Sequence, residues 1–165
     1  MMAKHKHKDP GMKMKKNFLP IAIDISGEKI LIVGGGSSAF KKLEILHRHD
    51  ADVEVLAKVV CPEIRESGIT FYEKEYRPEH LKGYLMVYSC TNDEMLDRQI
   101  VMDGQEAGVL VNIHDKPALC RFISPAIYRS GNMSVAVSSN GEDVYESIRI
   151  RNQIRDYLQL NNVIQ

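Results

Sequence analysis

The sequence predicts an α/β fold in which helices cover both faces of a parallel sheet, with a β-hairpin and a carboxyl-terminal helix after it. Short apolar runs typical of strands buried on both faces alternate with amphipathic helical stretches as far as residue 113. The first of these runs passes through three glycines directly into a helix. Because crossovers between parallel strands are right-handed, this alternation indicates a Rossmann-like sheet.

The first half of the sheet is predicted from three strands and the helical segments between them. Residues 28–33 end in an unbroken apolar run, and apolar side chains then recur at helical spacing from Ser37 to His49. Residues 53–57 predict the second strand. A short helical turn begins at Pro62, and residues 69–72 predict the third strand.

The second half of the sheet consists of two further strands around one long helix. Residues 84–88 predict the fourth strand. Residues 91–94 supply a cap and an acidic first turn for a helix that continues to about Ala107. Gly108 is well suited to end that helix, and residues 109–113 predict the fifth strand.

Beyond the sheet, the pattern predicts a hairpin followed by a helix. Strands over 122–128 and 133–138 flank a tight turn at 129–132. A helix from Asp143 to Leu160 has one stripe formed by Val144, Ile148, Arg151, Ile154, Tyr157 and Leu158. A lone hairpin and helix bury little surface, so we expect this region to pack on the sheet domain or on a second copy.

Charge and composition exclude several classes of protein. The first 16 residues hold six Lys and one Asp, which leaves residues 17–165 with a net charge of about −5 and no basic footprint for nucleic acid. No apolar run approaches the roughly 20 residues that span a bilayer, so we expect no membrane association. Three cysteines without a C-x-x-C pair indicate neither a disulfide framework nor a zinc knuckle, and predict a reducing, cytoplasmic location.

We therefore divide the chain into three parts. Residues 1–16 are a tail in which His and Lys alternate, typical of a purification tag, although a natural metal-binding tract remains an alternative. Residues 17–116 form the predicted Rossmann-like domain. Residues 117–165 form the hairpin and helical region.

The turn after the first strand fits G-x-G-x-x-A, a dinucleotide-binding pattern. Gly34 permits the tight turn, Gly36 lets the backbone approach a pyrophosphate, and Ala39 lets the helix pack close to the strand. Ser37 and Ser38 can add hydroxyl contacts. The acidic residue expected about 20 residues later is absent, since Ala-Lys-Val stands at 57–59, so the motif leaves NAD or NADP open.

Polar residues follow the fourth and fifth strands, where ligands bind in open α/β sheets. Asp115 and His114 are therefore positioned to reach the reactive ring of a cofactor, although an Asp at this place also suits a turn. Residues 89–93 can line the same crevice, cap the next helix, or do both. Residues 138–141 are either a loop that lines the substrate site or the cap of the last helix.

Several motifs together point to one family. They are Leu19-Pro20-Ile21, Gly34 to Gly36 with Ala39 and Lys42, Thr91 to Glu94, Val111 to Asp115, Phe122 to Ile127, and Val135 to Ser139. With them, the chain resembles the precorrin-2 dehydrogenase family, also found as the amino-terminal module of siroheme synthase, from about Phe18 to Ser139. After Ser139 the sequence departs from the family's usual Gly-Gly-x-Ser-Pro continuation.

The resemblance implies an NAD-dependent dehydrogenation of precorrin-2 to sirohydrochlorin by a homodimer, with ferrochelatase activity in some members. It implies that Asp115 is the general base or orients the substrate. Cofactor contacts are implied at Ser37, Ser38, Lys58 and Val59, which makes residues 17–116 an NAD-binding domain. Thr91, Asn92 and Asp93 are added as cofactor contacts because they follow the fourth strand and line the same crevice. Substrate contacts are implied at His114 and Ser139, with Lys116, Arg121 and Arg129 as partners for the carboxylates of the tetrapyrrole. No resident metal is expected. The alternative is a non-catalytic module that senses a dinucleotide.

Overall fold

A computed structural model describes residues 16–163. Its main feature is a five-stranded parallel sheet with the strand order β3-β2-β1-β4-β5. The strands are β1 (Lys29–Val33), β2 (Asp52–Ala57), β3 (Phe71–Glu73), β4 (Tyr84–Ser89) and β5 (Leu110–Ile113). This order is that of a Rossmann sheet, so the predicted fold class is confirmed. The tag-like residues 1–15 lie outside the described part.

Within residues 16–163, four α-helices and an antiparallel hairpin complete the fold. The helices are α1 (Ser37–His47), α2 (Pro62–Glu66), α3 (Glu94–Ala107) and α4 (Val144–Leu160), and the hairpin strands are β6 (Ala126–Ser130) and β7 (Met133–Val137). Two short 3-10 helices cover Pro78–Leu81 and Pro117–Leu119. None of the helices in the described part of the chain is long and apolar enough to cross a membrane.

The sheet has one apolar layer on each face, which explains the unbroken apolar run in β1. Ile30 and Ile32 pack in the layer that contains Leu43 of α1. Leu31 and Val33 face the other way, into the layer that contains Ile100 of α3. Because successive strand residues alternate between two covered faces, every residue of β1 except Lys29 is buried. Each such side chain contributes about 1.5–3 kcal/mol by its burial.

The long helix α3 begins and ends as its sequence predicts. Asp93 caps it, because the Asp93 carboxylate accepts hydrogen bonds from the backbone N–H groups of Met95 and Leu96. Gly108 ends it in a left-handed conformation with φ of 71°. The third strand begins two residues later than predicted, because β3 starts at Phe71 rather than at residue 69.

The hairpin is shorter than predicted at its start and tighter at its turn. Residues 122–125 are irregular, because Pro125 has no N–H for a ladder and the carbonyl of Phe122 accepts a hydrogen bond from the Asn112 side chain. Strand β6 extends through Ser130, which pairs with Met133. The turn is therefore the two-residue segment 131–132 rather than 129–132.

Helix α4 packs on the hairpin with a face that only partly matches the predicted stripe. The buried residue is Ser147, and Arg151 donates a 2.7 Å hydrogen bond from Nη1 to the carbonyl of Ile127. In the single chain, the side chains of Val144, Ile148 and Tyr157 from that stripe are 58%, 37% and 64% exposed. Packing on the hairpin does not bury them, and their burial against a second copy stays a prediction.

Candidate functional site

The carboxyl ends of β1, β4 and β5 lie side by side and form one edge of the sheet. The N–H of Cys90 donates to the carbonyl of Val33 over 2.7 Å, and the N–H of His114 donates to the carbonyl of Ser89 over 2.9 Å. The strand order reverses between β1 and β4, the point at which open α/β sheets bind their ligands. The glycine turn and the loops after β4 and β5 all begin at this edge.

The glycine turn after β1 is pressed against two neighbouring loops. Gly34 has a φ of +124°, and a Cβ built on it would lie 2.4 Å from the carbonyl oxygen of Cys90. A Cβ on Gly35 would lie 2.0 Å from the carbonyl oxygen of Val59. The sequence pattern missed Gly35, because G-x-G-x-x-A leaves its second position free. Neither Gly34 nor Gly35 therefore has room for a side chain.

Gly36 differs, because a Cβ built on it would meet nothing within 4 Å. Gly36 is the N-cap of α1, and no side chain among residues 16–163 caps that helix. Its first N–H groups are therefore left without a side-chain cap, beside the exposed Ser37 and the half-buried Ser38, while Ala39 is fully buried against the sheet. An uncapped helix start beside a glycine with open space suits a dinucleotide diphosphate.

The loop after β2 lines the glycine turn on the other side. The N–H of Cys61 donates to the carbonyl of Gly35 over 2.7 Å, which fixes residues 58–60 beside the turn. Val59 is exposed there, and Lys58 forms a 2.9 Å ion pair with Glu75. The structure thus brings Lys58 and Val59 next to the glycine turn, and their contact with a cofactor stays a prediction.

The loop after β4 has a tightly defined backbone. Asn92 adopts a left-handed conformation with φ of 58°, and Asp93 uses its carboxylate to cap α3. The hydroxyl of Thr91 donates to the Oδ1 atom of Asp97 over 2.9 Å. The capping role predicted for this segment is confirmed, and its role in binding a cofactor stays a prediction.

A buried carboxylate that the sequence did not predict joins this loop to its neighbours. Asp97 lies in the first turn of α3 and is only 2% exposed. Its Oδ1 atom also accepts a 2.7 Å hydrogen bond from the Ser89 hydroxyl, and its Oδ2 atom lies 2.6 Å from Nζ of Lys116. The hydrogen bond to Asp97 raises the pKa of Lys116 above its usual value. The spacing of Asp97 from Ile100 on the buried side of α3 is the signal that could have revealed it.

The turn after β5 presents Asp115 to solvent. Asp115 has a left-handed backbone with φ of 56°, and its side chain is 83% exposed. Its Oδ2 atom lies 3.3 Å from Nε2 of His114. The Lys116 ammonium turns the other way, toward Asp97, so its role as a carboxylate partner for substrate stays a prediction. The Asp115 carboxylate is free of other protein contacts among those found for the described residues.

A half-buried lysine lies between α1 and the segment before the hairpin. The Nζ atom of Lys42 lies 3.3 Å from Oγ of Ser124 and 4.5 Å from the centroid of the Tyr88 ring. Burial lowers the pKa of Lys42, and nearby negative charges, including that of Asp115, oppose this shift. Within residues 16–163, no carboxylate pairs with Lys42. Apart from its place in a family motif, this lysine has no distinguishing sequence pattern.

The remaining predicted substrate residues are not gathered at one place. The Ser139 hydroxyl exchanges hydrogen bonds with the backbone of Asp143, and a Cβ on Gly141 would lie 3.0 Å from Cβ of Pro117, so this loop borders the Asp115 turn. Arg129 instead reaches the far end of α1, where Nη1 donates to the carbonyl of Arg48. The structure therefore brings Ser139 toward the edge and leaves Arg129 distant from it.

Three further observations concern metal binding, Arg121 and the surface of the molecule. In residues 16–163 there is no group of three or more His, Cys, Asp and Glu side chains that could hold a metal ion. Arg121 is exposed, and its backbone N–H donates to the carbonyl of Val111. A concavity of about 560 Å³ lies away from the edge, between the hairpin and α4, and is lined partly by Met133, Val135, Leu158 and Val163.

Comparison with known proteins agrees with this geometry. The family model described as "Putative NAD(P)-binding" matches residues 21–126. The siroheme synthase of Photorhabdus laumondii is 33% identical over 130 residues, which are 76% of this chain and 28% of that protein. The siroheme synthase of Buchnera aphidicola is 37% identical over 129 residues, which are 76% of this chain and 27% of that protein. The chain thus spans little more than a quarter of the length of these curated relatives.

A solved structure has the same fold. SirC, a precorrin-2 dehydrogenase, superposes with a TM-score of 0.70 at 22% identity, over 85% of this chain and 70% of that one. The family model covers more than half of the chain, and its limits enclose the glycine turn, the loop after β4 and the Asp115 turn. The chain therefore belongs to this NAD(P)-binding family, and the resemblance that its motifs predicted is confirmed.

Proposed function

We propose that the protein catalyses the NAD-dependent dehydrogenation of precorrin-2 to sirohydrochlorin. The observation that carries the proposal is the exposed carboxylate of Asp115, which stands on the same sheet edge as the glycine turn. The relatives support the substrate class, because they are siroheme synthases, and SirC is a precorrin-2 dehydrogenase. NAD is proposed over NADP on the family resemblance alone.

In this proposal, different segments of the sheet edge would hold different parts of the cofactor. The uncapped N–H groups at the start of α1 would bind the diphosphate, and Gly36 leaves room for its approach. The loops at 58–59 and 91–93 flank that position and would hold the rest of the dinucleotide. When bound, the nicotinamide ring supplies the acceptor for the hydride that leaves the macrocycle.

Asp115 would act on the proton that must leave with the hydride. Loss of a hydride from carbon and a proton from nitrogen together remove two hydrogens from precorrin-2, which yields the more conjugated product. An exposed carboxylate next to the cofactor edge can accept that proton as a general base. The same carboxylate can also orient the macrocycle by accepting a hydrogen bond from a pyrrole N–H.

A direct assay tests the proposal. Purified protein with NAD and precorrin-2 should form NADH and sirohydrochlorin in equal amounts. The Asp115→Asn variant should bind NAD as the wild type does, and should lose most of the turnover, because general-base catalysis contributes about 10²–10⁴-fold. Normal turnover by Asp115→Asn would reject Asp115 as the base. NAD binding without turnover by the wild type would instead favour the dinucleotide-sensing alternative.

Metal insertion into sirohydrochlorin is a second and separable activity. We assign this activity to His114 and Asp115, whose side chains lie 3.3 Å apart at the same edge. With Fe²⁺ or Co²⁺ as the metal substrate, the absorbance of sirohydrochlorin should fall faster with protein than without it. An unchanged rate would remove this activity from the proposal.

We also propose a homodimer formed through residues 117–165, as the resemblance implies. The support from the structure is that this region exposes several large apolar side chains, including Met133, Tyr145 and Leu160, of which Tyr145 is 83% exposed. Analytical ultracentrifugation distinguishes the dimer from a monomer. The proposed division of the chain at residue 116 and a cytoplasmic location remain predictions.

A further inference from the structure

We propose that Asp97 and Lys116 form a positioning pair, which couples the loop at 91–93 to the turn that carries Asp115. The inference rests on the proposed function, in which that loop contacts the dinucleotide and Asp115 faces the substrate. Its consequence is that cofactor binding and the placement of the base depend on each other. Neither residue needs to touch the cofactor or the substrate for this role.

The first argument is the number of segments that one buried carboxylate holds. Asp97 accepts hydrogen bonds from Ser89 at the end of β4 and from Thr91 in the following loop, both on its Oδ1 atom. Its Oδ2 atom lies 2.6 Å from Nζ of Lys116 in the loop after β5. The side chain of Asp97 is 3% exposed, so water competes little with these contacts.

The second argument is the backbone of the two loops. Asn92 directly follows Thr91, and Asp115 directly precedes Lys116, so each tether to Asp97 is attached next to a left-handed residue. Such a conformation is unfavourable for residues other than glycine, and it persists where surrounding contacts fix it. The tethers to Asp97 are contacts of this kind.

The third argument is that, among the contacts found for the described residues, Lys116 is the one cation that pairs with the Asp97 carboxylate. Removing the Lys116 ammonium would leave a buried carboxylate without a charge partner, which is an unfavourable state. The loops are the parts that can move to admit water to it. By reciprocity, a dinucleotide that orders residues 91–93 should also order the Asp115 turn.

Three variants test the coupling. Lys116→Met removes the cation, Asp97→Asn removes the charge, and the double variant Asp97→Asn with Lys116→Gln restores a neutral hydrogen bond. We expect Lys116→Met to weaken NAD binding in calorimetry by about fivefold or more, the low end of ordinary coupling between sites. We expect it to lower kcat by roughly 10- to 100-fold, the effect of a displacement of about 1 Å. The double variant should recover part of both losses.

Hydrogen exchange gives a readout that does not depend on turnover. The amides of residues 113–116 should exchange faster in Lys116→Met, and adding NAD to the wild type should slow them. Arg98→Met is the control, because Arg98 is an exposed cation of the same helix that pairs with Glu94. It should leave the NAD affinity, kcat and exchange rates unchanged.

The outcomes separate this inference from the proposed function. If the wild type binds NAD but does not convert precorrin-2, the proposed function fails, and the affinity and exchange data still decide the coupling. If Lys116→Met had a lower melting temperature but unchanged NAD affinity and kcat, the coupling would be overturned. The pair of Asp97 and Lys116 would then only stabilise the fold. A raised KM for precorrin-2 with unchanged NAD affinity would overturn it too, because Lys116 would then bind substrate.

Discussion

Gly35 and Val59 approach so closely that a Cβ on Gly35 would lie 2.0 Å from the Val59 carbonyl oxygen. Because that neighbour is backbone, it cannot rotate away, and one of the two loops must move. We expect Gly35→Ala to lower the free energy of unfolding by about 1–3 kcal/mol, the usual cost of overpacking. Urea denaturation measures this loss, and a stability equal to that of the wild type would contradict the observed contact.

Gly36→Ala is the matched variant one residue further along. Its Cβ would enter open space, and Gly36 has a φ of −94°, which any residue adopts. We expect a free energy of unfolding within about 0.5 kcal/mol of the wild type. NAD binding should weaken by about tenfold or more, because the methyl group would occupy the space through which a diphosphate approaches the helix N–H groups. Calorimetry with NAD tests this, and equal affinity would show that the diphosphate binds elsewhere.

The contrast between these glycines shows what a sequence pattern can and cannot provide. Periodicity and the glycine motif were enough to predict the parallel sheet, the position of the turn and the placement of Asp115 after β5. Those features depend on local sequence. The tight contact of Gly35 depends on a loop more than 20 residues away, and no local pattern contains it.

The same limit applies to Asp97 and Lys42. Both side chains are charged, and charged residues of an amphipathic helix are ordinarily assigned to solvent or to a cap. Their roles arise from partners on other elements, Lys116 for Asp97 and Ser124 for Lys42. Arg129 illustrates a different limit, because its charge suggested a substrate contact and no local pattern shows that the hairpin carries it to the far end of α1. Its role as a substrate ligand stays a prediction.

Glu54 should make the stability of the sheet depend on pH. It lies buried in β2, where Oε1 is 2.6 Å from Nζ of Lys29 and Oε2 accepts a hydrogen bond from the Tyr84 hydroxyl. Burial opposes ionisation of Glu54, but its hydrogen bonds with Lys29 and Tyr84 outweigh it and lower the pKa of the carboxyl below its usual value. A lowered carboxyl pKa stabilises the folded state above the unfolded-state pKa, and this stability is lost as the pH falls through the lowered pKa.

We therefore expect Glu54→Gln to lower the free energy of unfolding by roughly 1–3 kcal/mol near neutral pH. The difference from the wild type should shrink when the pH falls below the ordinary carboxyl pKa of about 4.3. Urea denaturation at neutral and acidic pH measures both values. Glu79→Gln is the control, because Glu79 is exposed and lies 3.9 Å from Arg77. If the loss in free energy of unfolding caused by Glu54→Gln did not change with pH, Glu54 would not be ionised in the folded protein.

For Lys42 we predict the opposite effect: removal of its charge should raise the free energy of unfolding. Burial lowers the pKa of Lys42 on balance, so folding disfavours its charged form despite the contact with the Tyr88 ring. Between the lowered pKa and the ordinary value of about 10.4, the unfolded chain binds more protons than the folded one, so stability rises with pH in that window. Below the window, the cost of burying the charge is present in full.

Lys42→Met should therefore raise the free energy of unfolding near neutral pH by roughly 1 kcal/mol, because an apolar side chain of similar length replaces a half-buried charge. The gain should decline as the pH rises toward the ordinary lysine pKa, since the wild type then loses the same charge. Lys41→Met changes the neighbouring exposed lysine and should alter stability by less than about 0.5 kcal/mol. Thermal denaturation at neutral and alkaline pH measures these differences. A lower melting temperature for Lys42→Met near neutral pH would mean that the contacts with Tyr88 and Ser124 outweigh the cost of burial.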